Sequence, residues 1–312
     1  MNPIEIASLL TEREIADGLA AALARRELPE LASYWSPLSV RAWLDLCKDG
    51  AYRNFIRSHG LIEAHAAEIA AEVRSSPLDV VSLGSGQGDK DLILLEALRA
   101  AGRAPTYRPM DASLSLLEIA CARALDAGYP CAGVKGDFAR AEHLATIDAL
   151  RADRPALWLL VGNTLGAFDP LALARALRAR VRAGDALLLD AEIYDPAATI
   201  VGYDNPDNRR FAFAPLASLG IGPEDGALSF EPLEDAALPG FFRLVKRFEP
   251  SRDLRLSVGG EEFVLRAGER LHMGHSGKFS EEGFRAVLGR AGFAPRSSWR
   301  SADARFVMTL LA

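Results

Sequence analysis

The run Val81-Ser82-Leu83-Gly84-Ser85-Gly86-Gln87-Gly88 leaves an apolar stretch and enters an amphipathic one. Glycines let a backbone approach a ligand closely, and a helix start offers unpaired N–H groups. In an open α/β sheet such a turn sits at the carboxyl ends of the strands, where nucleotide-like ligands bind. Asp111 ends the next apolar run, YRPMDAS (107–113), where a carboxylate can accept hydrogen bonds from ribose hydroxyls. The same glycine spacing also serves a plain tight β–α turn. What points to a nucleoside is the order of strand, turn, helix, strand and acid. A hydride carrier prefers GxGxxG, but three positions after Gly86 stands Asp89. A carboxylate there repels a pyrophosphate, although helix dipoles as such favour acids at a helix start. A sulfonium nucleoside with an amino-acid tail has no phosphate to repel. The local electrostatics therefore favour S-adenosylmethionine over a nicotinamide dinucleotide.

Other chemistry-bearing residues give weaker signals. His272 and His275 flank Gly274, and a spacing of three puts them on opposite faces of a strand. That disfavours a metal pair and leaves a single general base, His275, beside a surface residue. His59, His65 and His143 read as helix or loop surface. Cys47, Cys121 and Cys131 form no CxxC and have no histidine at metal-ligand spacing, which fits a reducing compartment and no metal site. There is no GxSxG. Asp204, Asp207, Arg209 and Arg210 read as a polar loop or a lid contact.

The elements that must hold these residues follow from periodicity. Residues 4–27 and 60–74 have helical spacing. Buried-strand runs at 78–83, 107–111, 132–138, 156–168 and 185–196 alternate with helices at 90–101, 115–128 and 170–184, which predicts a parallel sheet covered on both sides. Residues 228–265 alternate in short runs with glycine turns such as Gly259-Gly260 and predict antiparallel strands. Residues 280–292 return to a helix capped by Ser280, and FVMTLLA (306–312) closes as a strand. The expected division is an N-terminal helical segment (1–75), a Rossmann-like domain (76–195 and 276–312) and an inserted α+β lid subdomain (196–275) over the carboxyl edge of the sheet. The 312 residues are 49% hydrophobic and 25% charged, with a net charge of −6. That is a globular composition, and it disfavours general nucleic-acid binding. The apolar runs are strand-sized, well short of the ~20 residues that span a bilayer. The expectation is a cytoplasmic protein, monomer or homodimer, with a small-molecule substrate.

The string LGSGQGDKDLILLEAL (83–98) resembles the first motif of class I methyltransferases and, more narrowly, that of the histidine N-alpha-methyltransferases of ergothioneine biosynthesis. YRPMDASLSLLEIA (107–120), GDF (136–138), LLVGNTLGAFDP (159–170), DPAATIVGYDNP (195–206) and GERLHMGHSGKF (268–279) are similar to further family segments in the same order. The resemblance runs from about residue 60 to the C-terminus. It implies that Gly84, Ser85 and Gly86 line the methionine part of S-adenosylmethionine, with Lys90 supporting the loop. Asp111 would hold the ribose. Asp137 and Phe138 would meet the adenine, and Gly162 and Asn163 complete the cofactor set. Asn163, Tyr203 and Ser276 fall on substrate-contact positions.

Two departures matter. The family's substrate-holding asparagine is replaced here by Ala167, and its imidazole-recognising glutamate by Gly274. Losing two such partners costs a few kcal/mol of recognition, on the order of 1–3 kcal/mol each, so the expected substrate is not histidine. Tyr34, Trp35, Trp43, Tyr52 and Phe55 supply material for a rebuilt aromatic wall. The function this implies is methyl transfer to the amine of an amino acid or derivative, with Tyr203, Tyr194 and His275 as candidate catalytic groups. A second reading keeps the cofactor but consumes it by ring closure or aminocarboxypropyl transfer, releasing methylthioadenosine. A third is a non-catalytic S-adenosylmethionine-binding protein.

Overall fold

The computed structural model describes residues 3–48 and 53–312. In chain order it contains β1 (Ile6–Ser8), α1 (Glu12–Ala24), α2 (Ala32–Trp35), α3 (Pro37–Lys48), α4 (Arg53–Glu72), β2 (Leu78–Leu83), α5 (Asp89–Ala100), β3 (Pro105–Asp111), α6 (Leu114–Asp126), β4 (Gly133–Lys135), α7 (Ala141–Leu150) and β5 (Ala156–Leu160). A 3-10 turn (Thr164–Ala167) leads to α8 (Pro170–Arg178), β6 (Ala186–Glu192), α9 (Pro196–Tyr203), α10 (Pro206–Ser218), β7 (Gly226–Glu234) and β8 (Phe241–Pro250). The chain ends with β9 (Leu254–Val258), β10 (Glu261–Leu265), β11 (Leu271–Phe279), α11 (Glu281–Arg290), β12 (Pro295–Arg300) and β13 (Phe306–Leu311).

The chain folds as two compact units. The first comprises Met1–Leu9, Asn54–Ile193 and Phe279–Ala312, the second Leu10–Arg53 and Tyr194–Lys278. The expected N-terminal helical segment is thus shared: residues 10–53 belong with the insertion, and 54–75 with the sheet.

The first unit is an eight-stranded sheet in the order β1-β4-β3-β2-β5-β6-β13-β12. Strands β1 to β6 pair in parallel, and β13 and β12 complete the edge antiparallel. The strand order reverses between β2 and β5, which makes their carboxyl ends the place for a ligand. Every residue of β2, β5 and β6 is buried, the reason they read as continuous apolar runs. Leu61, Ile62 and Ile69 of α4 and Leu94, Leu95 and Leu98 of α5 pack on one face with Val80, Leu157, Leu159 and Leu188.

Two elements depart from expectation. Residues 6–8, expected within a helix, form the edge strand β1, because Gly133 N–H and Leu9 N–H bond across to Glu5 O and Lys135 O at 2.8 Å each. The helix starts later, at Thr11, whose side chain and Glu14 form a capping box. Strand β12 was hidden by its polar sequence, PRSSWR.

The second unit carries a three-stranded sheet in the order β11-β8-β7, with β7 and β8 antiparallel, and the antiparallel hairpin β9-β10. Gly259 and Gly260 turn the hairpin at φ 61° and 85°, conformations that suit glycine. Its core joins Leu19, Leu23 and Leu28 to Leu216, Phe248, Leu254 and Leu271. The polar stretch 205–210, expected as a loop, opens α10. There Asn205 Oδ1 accepts from Asn208 N–H at 3.0 Å, and Pro206 takes the first helical position.

Candidate active site

In the first unit the turn after β2 holds Gly84 and Gly86 at φ 67° and 55°. A Cβ on Gly84 would lie in ordinary contact with the Phe138 ring at 3.4 Å, so it is the positive φ that favours glycine there. The Gly86 N–H donates to Asp111 Oδ2 at 2.9 Å and the Ser113 N–H to Oδ1 at 2.8 Å. Two backbone donors thus fix this carboxylate and leave lone pairs for two hydroxyls. Burial holds its carboxyl above the usual carboxylate range, against the pull of those N–H groups. The hydroxyls of Ser85 and Ser113 are buried with no hydrogen-bond partner. Buried hydroxyls are normally satisfied, so this turn has polar groups to offer a ribose and an amino-acid tail.

The residues expected to meet the adenine lie beyond β4. Asp137 Oδ1 accepts from Ala139 N–H at 2.9 Å, and Asp137 N–H donates to His143 Nδ1 at 3.0 Å. His143, expected at the surface, is buried because it satisfies this backbone donor. Phe138 meets Phe168 edge to face at 5.1 Å, an apolar wall for a flat base.

Lys90 reaches across to the strands beyond the switch point. Its Nζ donates to Ser58 Oγ at 3.4 Å and stands 5.7 Å from the Phe55 ring centroid. A Cβ on Gly162, at φ 93°, would fall 2.8 Å from that Nζ. Gly162 and Asn163 N–H both donate to Asp190 Oδ1 at 2.7 Å, and Ser58 Oγ donates to Oδ2 at 2.5 Å. Burial raises the Asp190 pKa, with Lys90 opposing. Asn163 Oδ1 accepts from Glu192 N–H at 2.9 Å, so its amide oxygen ties β5 to β6. Ala167 ends the neighbouring 3-10 turn. Asp89 is paired with Arg123, which answers the repulsion argued from its charge. The cofactor assignment does not stand on that residue.

In the second unit Tyr203 and Ser276 meet at 2.9 Å between hydroxyls. A residue not singled out from the sequence joins them. Lys278, fully buried, donates to Tyr203 Oη and to Ser276 Oγ at 2.7 Å each. Its ammonium also stands 4.5 Å from the Tyr203 ring centroid. Tyr194 stacks on Phe242 at 4.1 Å. His275 packs edge to face with Phe241, and its Nε2 is buried with no partner. Burial, and then Arg243 and Lys246, bring its pKa down to about 4. It is neutral near pH 7, a hydrogen-bonding group rather than a strong base.

Gly274 has φ 76°, and a Cβ there would fall 2.8 Å from Glu30 Oε2. Of the aromatic residues, Tyr34 and Trp43 pack with Phe211 at 5.4–5.7 Å. Trp35 Nε1 donates to Glu12. Phe55 is in the first unit, and Tyr52 lies outside the described residues.

The model of the family described as histidine-specific, S-adenosylmethionine-dependent methyltransferases matches residues 11–219 and 240–312. The chain belongs to this family. Its cofactor is S-adenosyl-L-methionine and its class is transferase. A histidine N-alpha-methyltransferase of Mycobacterium tuberculosis is 37% identical over 153 residues, covering 47% of this chain and 45% of that protein. This chain therefore aligns with less than half of that relative's length. A histidine N-alpha-methyltransferase of Mycolicibacterium smegmatis is 27% identical over 269 residues, covering 80% of this chain and 79% of that protein. A 4-dimethylallyltryptophan N-methyltransferase of Penicillium roqueforti is 26% identical over 326 residues, covering 95% and 93%. Among the described residues no helix is long and apolar enough to cross a membrane, and no group of three His, Cys, Asp or Glu side chains could hold a metal.

Sequence reading missed Lys278, Glu30 and Asp190. Lys278 had a signal: Ser276 and Lys278 are two apart in a strand and share a face. Asp190 also had one, a carboxylate ending the apolar run ALLLD. Glu30 had none, since only pairing with distant β11 places it.

Proposed function

We propose that this family member transfers a methyl group from S-adenosylmethionine to the amine of a small amino acid or amino-acid derivative. The observation that carries this reading is the cradle at the carboxyl ends of β2 and β3. There Asp111 is held by two backbone N–H groups, and Ser85 and Ser113 present unanswered buried hydroxyls. The relatives named for N-methylation of histidine and of 4-dimethylallyltryptophan support an amino-acid acceptor.

When bound, the cofactor supplies an electrophilic methyl group and its own leaving group. The chain supplies placement, where most of the rate in such a transfer originates. Asp111 accepts hydrogen bonds from the ribose, and Phe138 offers an apolar surface to the base. The acceptor amine attacks only when neutral. Lys278, fully buried, donates to both Tyr203 Oη and Ser276 Oγ, so an amine that hydrogen-bonds to Tyr203 would meet a hydroxyl held in one orientation. In this reading Tyr203 Oη, already accepting from Lys278, orients that amine. Tyr194 and His275 are proposed as neighbouring lining groups.

Consumption of the cofactor without an acceptor was suggested by the loss of acceptor-binding residues. The test is product analysis. With a panel of amino acids, S-adenosylhomocysteine is expected to form only when an acceptor is present. Methylthioadenosine from S-adenosylmethionine alone, above a no-protein control, would overturn the reading in favour of ring closure. No turnover with any amine would leave a binding protein.

A further inference from the structure

Strand β4 is three residues long, and at its exit Gly136 N–H bonds to Asp111 O at 3.0 Å. Beyond that point the chain leaves the sheet, and the next backbone donor turns to a side chain: Asp137 N–H bonds to His143 Nδ1 at 3.0 Å. His143 stands in the first turn of α7 and is 6% exposed. An imidazole that accepts at Nδ1 carries its ring proton on Nε2. The same nitrogen would lie 3.6 Å from a Cβ on Gly136, so the ring packs against the strand exit. Asp137 O in turn accepts from Arg140 N–H at 3.0 Å as the chain enters the helix. These bonds set the course of residues 136–138. At its end stands Phe138, buried, whose ring meets Phe168 at 5.1 Å and whose Cε1 lies 3.4 Å from where a Gly84 Cβ would be. A histidine on α7 is thus linked to the glycine turn after β2 through two residues of chain.

Building on the reading above, in which Phe138 offers an apolar surface to the cofactor's base, we infer that His143 is a positioning residue for cofactor binding: it acts through the Asp137 N–H to hold the Phe138 ring beside the glycine turn. His143 itself touches neither cofactor nor acceptor in this role. What the role requires is an acceptor atom at one place. A chain that has left its sheet has few bonds to keep its course, and a backbone donor deprived of its partner draws the chain toward water. The Asp137 carboxylate is no substitute. Its Oδ1 takes the Ala139 N–H at 2.9 Å, and its Oδ2 lies 3.6 Å from the Arg140 guanidinium. Without His143 Nδ1, the Asp137 amide turns outward and the neighbouring Phe138 ring moves with it.

The test reads S-adenosylhomocysteine binding to the full-length protein by calorimetry. It needs neither acceptor nor methyl transfer, so its outcome is separate from that of the product assay. Asparagine carries its amide oxygen as many bonds from Cα as His143 carries Nδ1. Glutamine carries it one bond further out, in the place of Nε2. His143→Asn is expected to bind within about twofold of wild type, and His143→Gln and His143→Leu about tenfold more weakly, the worth of one hydrogen bond left unmade. A side chain that only filled space would give the reverse order, since glutamine is closer to histidine in volume than asparagine is. Phe138→Ala is expected to weaken binding at least as much as His143→Leu. Should His143→Leu not fold, the asparagine and glutamine variants carry the comparison. His143→Asn binding no better than His143→Gln would overturn the assignment and leave the Phe138 wall standing. Unaltered affinity in Phe138→Ala would overturn both.

Discussion

The two units bury opposite kinds of charge at their functional clusters. In the first, Asp111, Asp190 and Glu192 gather at the strand ends, and burial holds Asp111 and Asp190 above the usual carboxylate range. In the second, Lys246 lies 3.5 Å from the Glu30 carboxylate, Arg243 pairs with Asp235, Lys278 is fully buried, and burial brings the His275 pKa down to about 4. The difference matches two chemical needs. A sulfonium cofactor is a cation and is welcomed by acids. An attacking amine must shed its proton, and cations favour that. One chain thus keeps a cation-accepting region and a cation-refusing region in separate cores.

The sharpest break of this comparison is in the first unit's scaffold. Arg151, 1% exposed, binds Asp185 through two hydrogen bonds of 3.0 and 2.8 Å. Arg151→Met is expected to cost ~3–5 kcal/mol in urea unfolding, because it strands a buried carboxylate. Next in size, Asp111→Ala should weaken S-adenosylhomocysteine binding by about a hundredfold, two lost hydrogen bonds to a charged group, as read by calorimetry. Conversely, Tyr203→Phe should lower kcat about tenfold with S-adenosylhomocysteine affinity intact. Loss of both together would show that the units do not divide the work.

Acid should separate the units further. A carboxyl raised above its unfolded value, such as Asp111, contributes stability present below about pH 4 and lost as pH rises through its folded value. His275, lowered to about 4, contributes stability present above its ordinary value near 6.5 and lost as pH falls toward 4. Hydrogen exchange between those limits should therefore show β8 and β11 losing protection before β2 and β5. Cofactor binding should weaken in acid as Asp111 takes up its proton. The smallest effect is local: Thr11→Ala removes the capping box of α1 and should cost ~1 kcal/mol by thermal melting.

The parallel sheet was legible because its strands are buried on both faces and so read as unbroken apolar runs. The glycine turn after β2 was legible because its backbone runs at φ 67° and 55°, which suits glycine. Residues 6–8 were not, since three residues carry no periodicity and only β4 makes them a strand. Asp89 shows a different failure. Its charge was read as free, but Arg123 on another helix neutralises it, and no local pattern announces such a partner. The missing side chain at Gly274 was visible, and the nearness of Glu30 was not. Local sequence shows what a position lacks, while only tertiary pairing shows what a distant residue brings to it.

The broken course of the second unit has a consequence for synthesis. Leu19, Leu23 and Leu28 share a core with Leu216, Phe248, Leu254 and Leu271. As the nascent chain leaves the ribosome, these early leucines do not meet these later partners until six of the eight strands of the sheet have emerged. Their apolar face must be shielded meanwhile, by transient contacts or by a chaperone. Slowing translation after residue 60 should therefore lower soluble yield more than slowing it after residue 280.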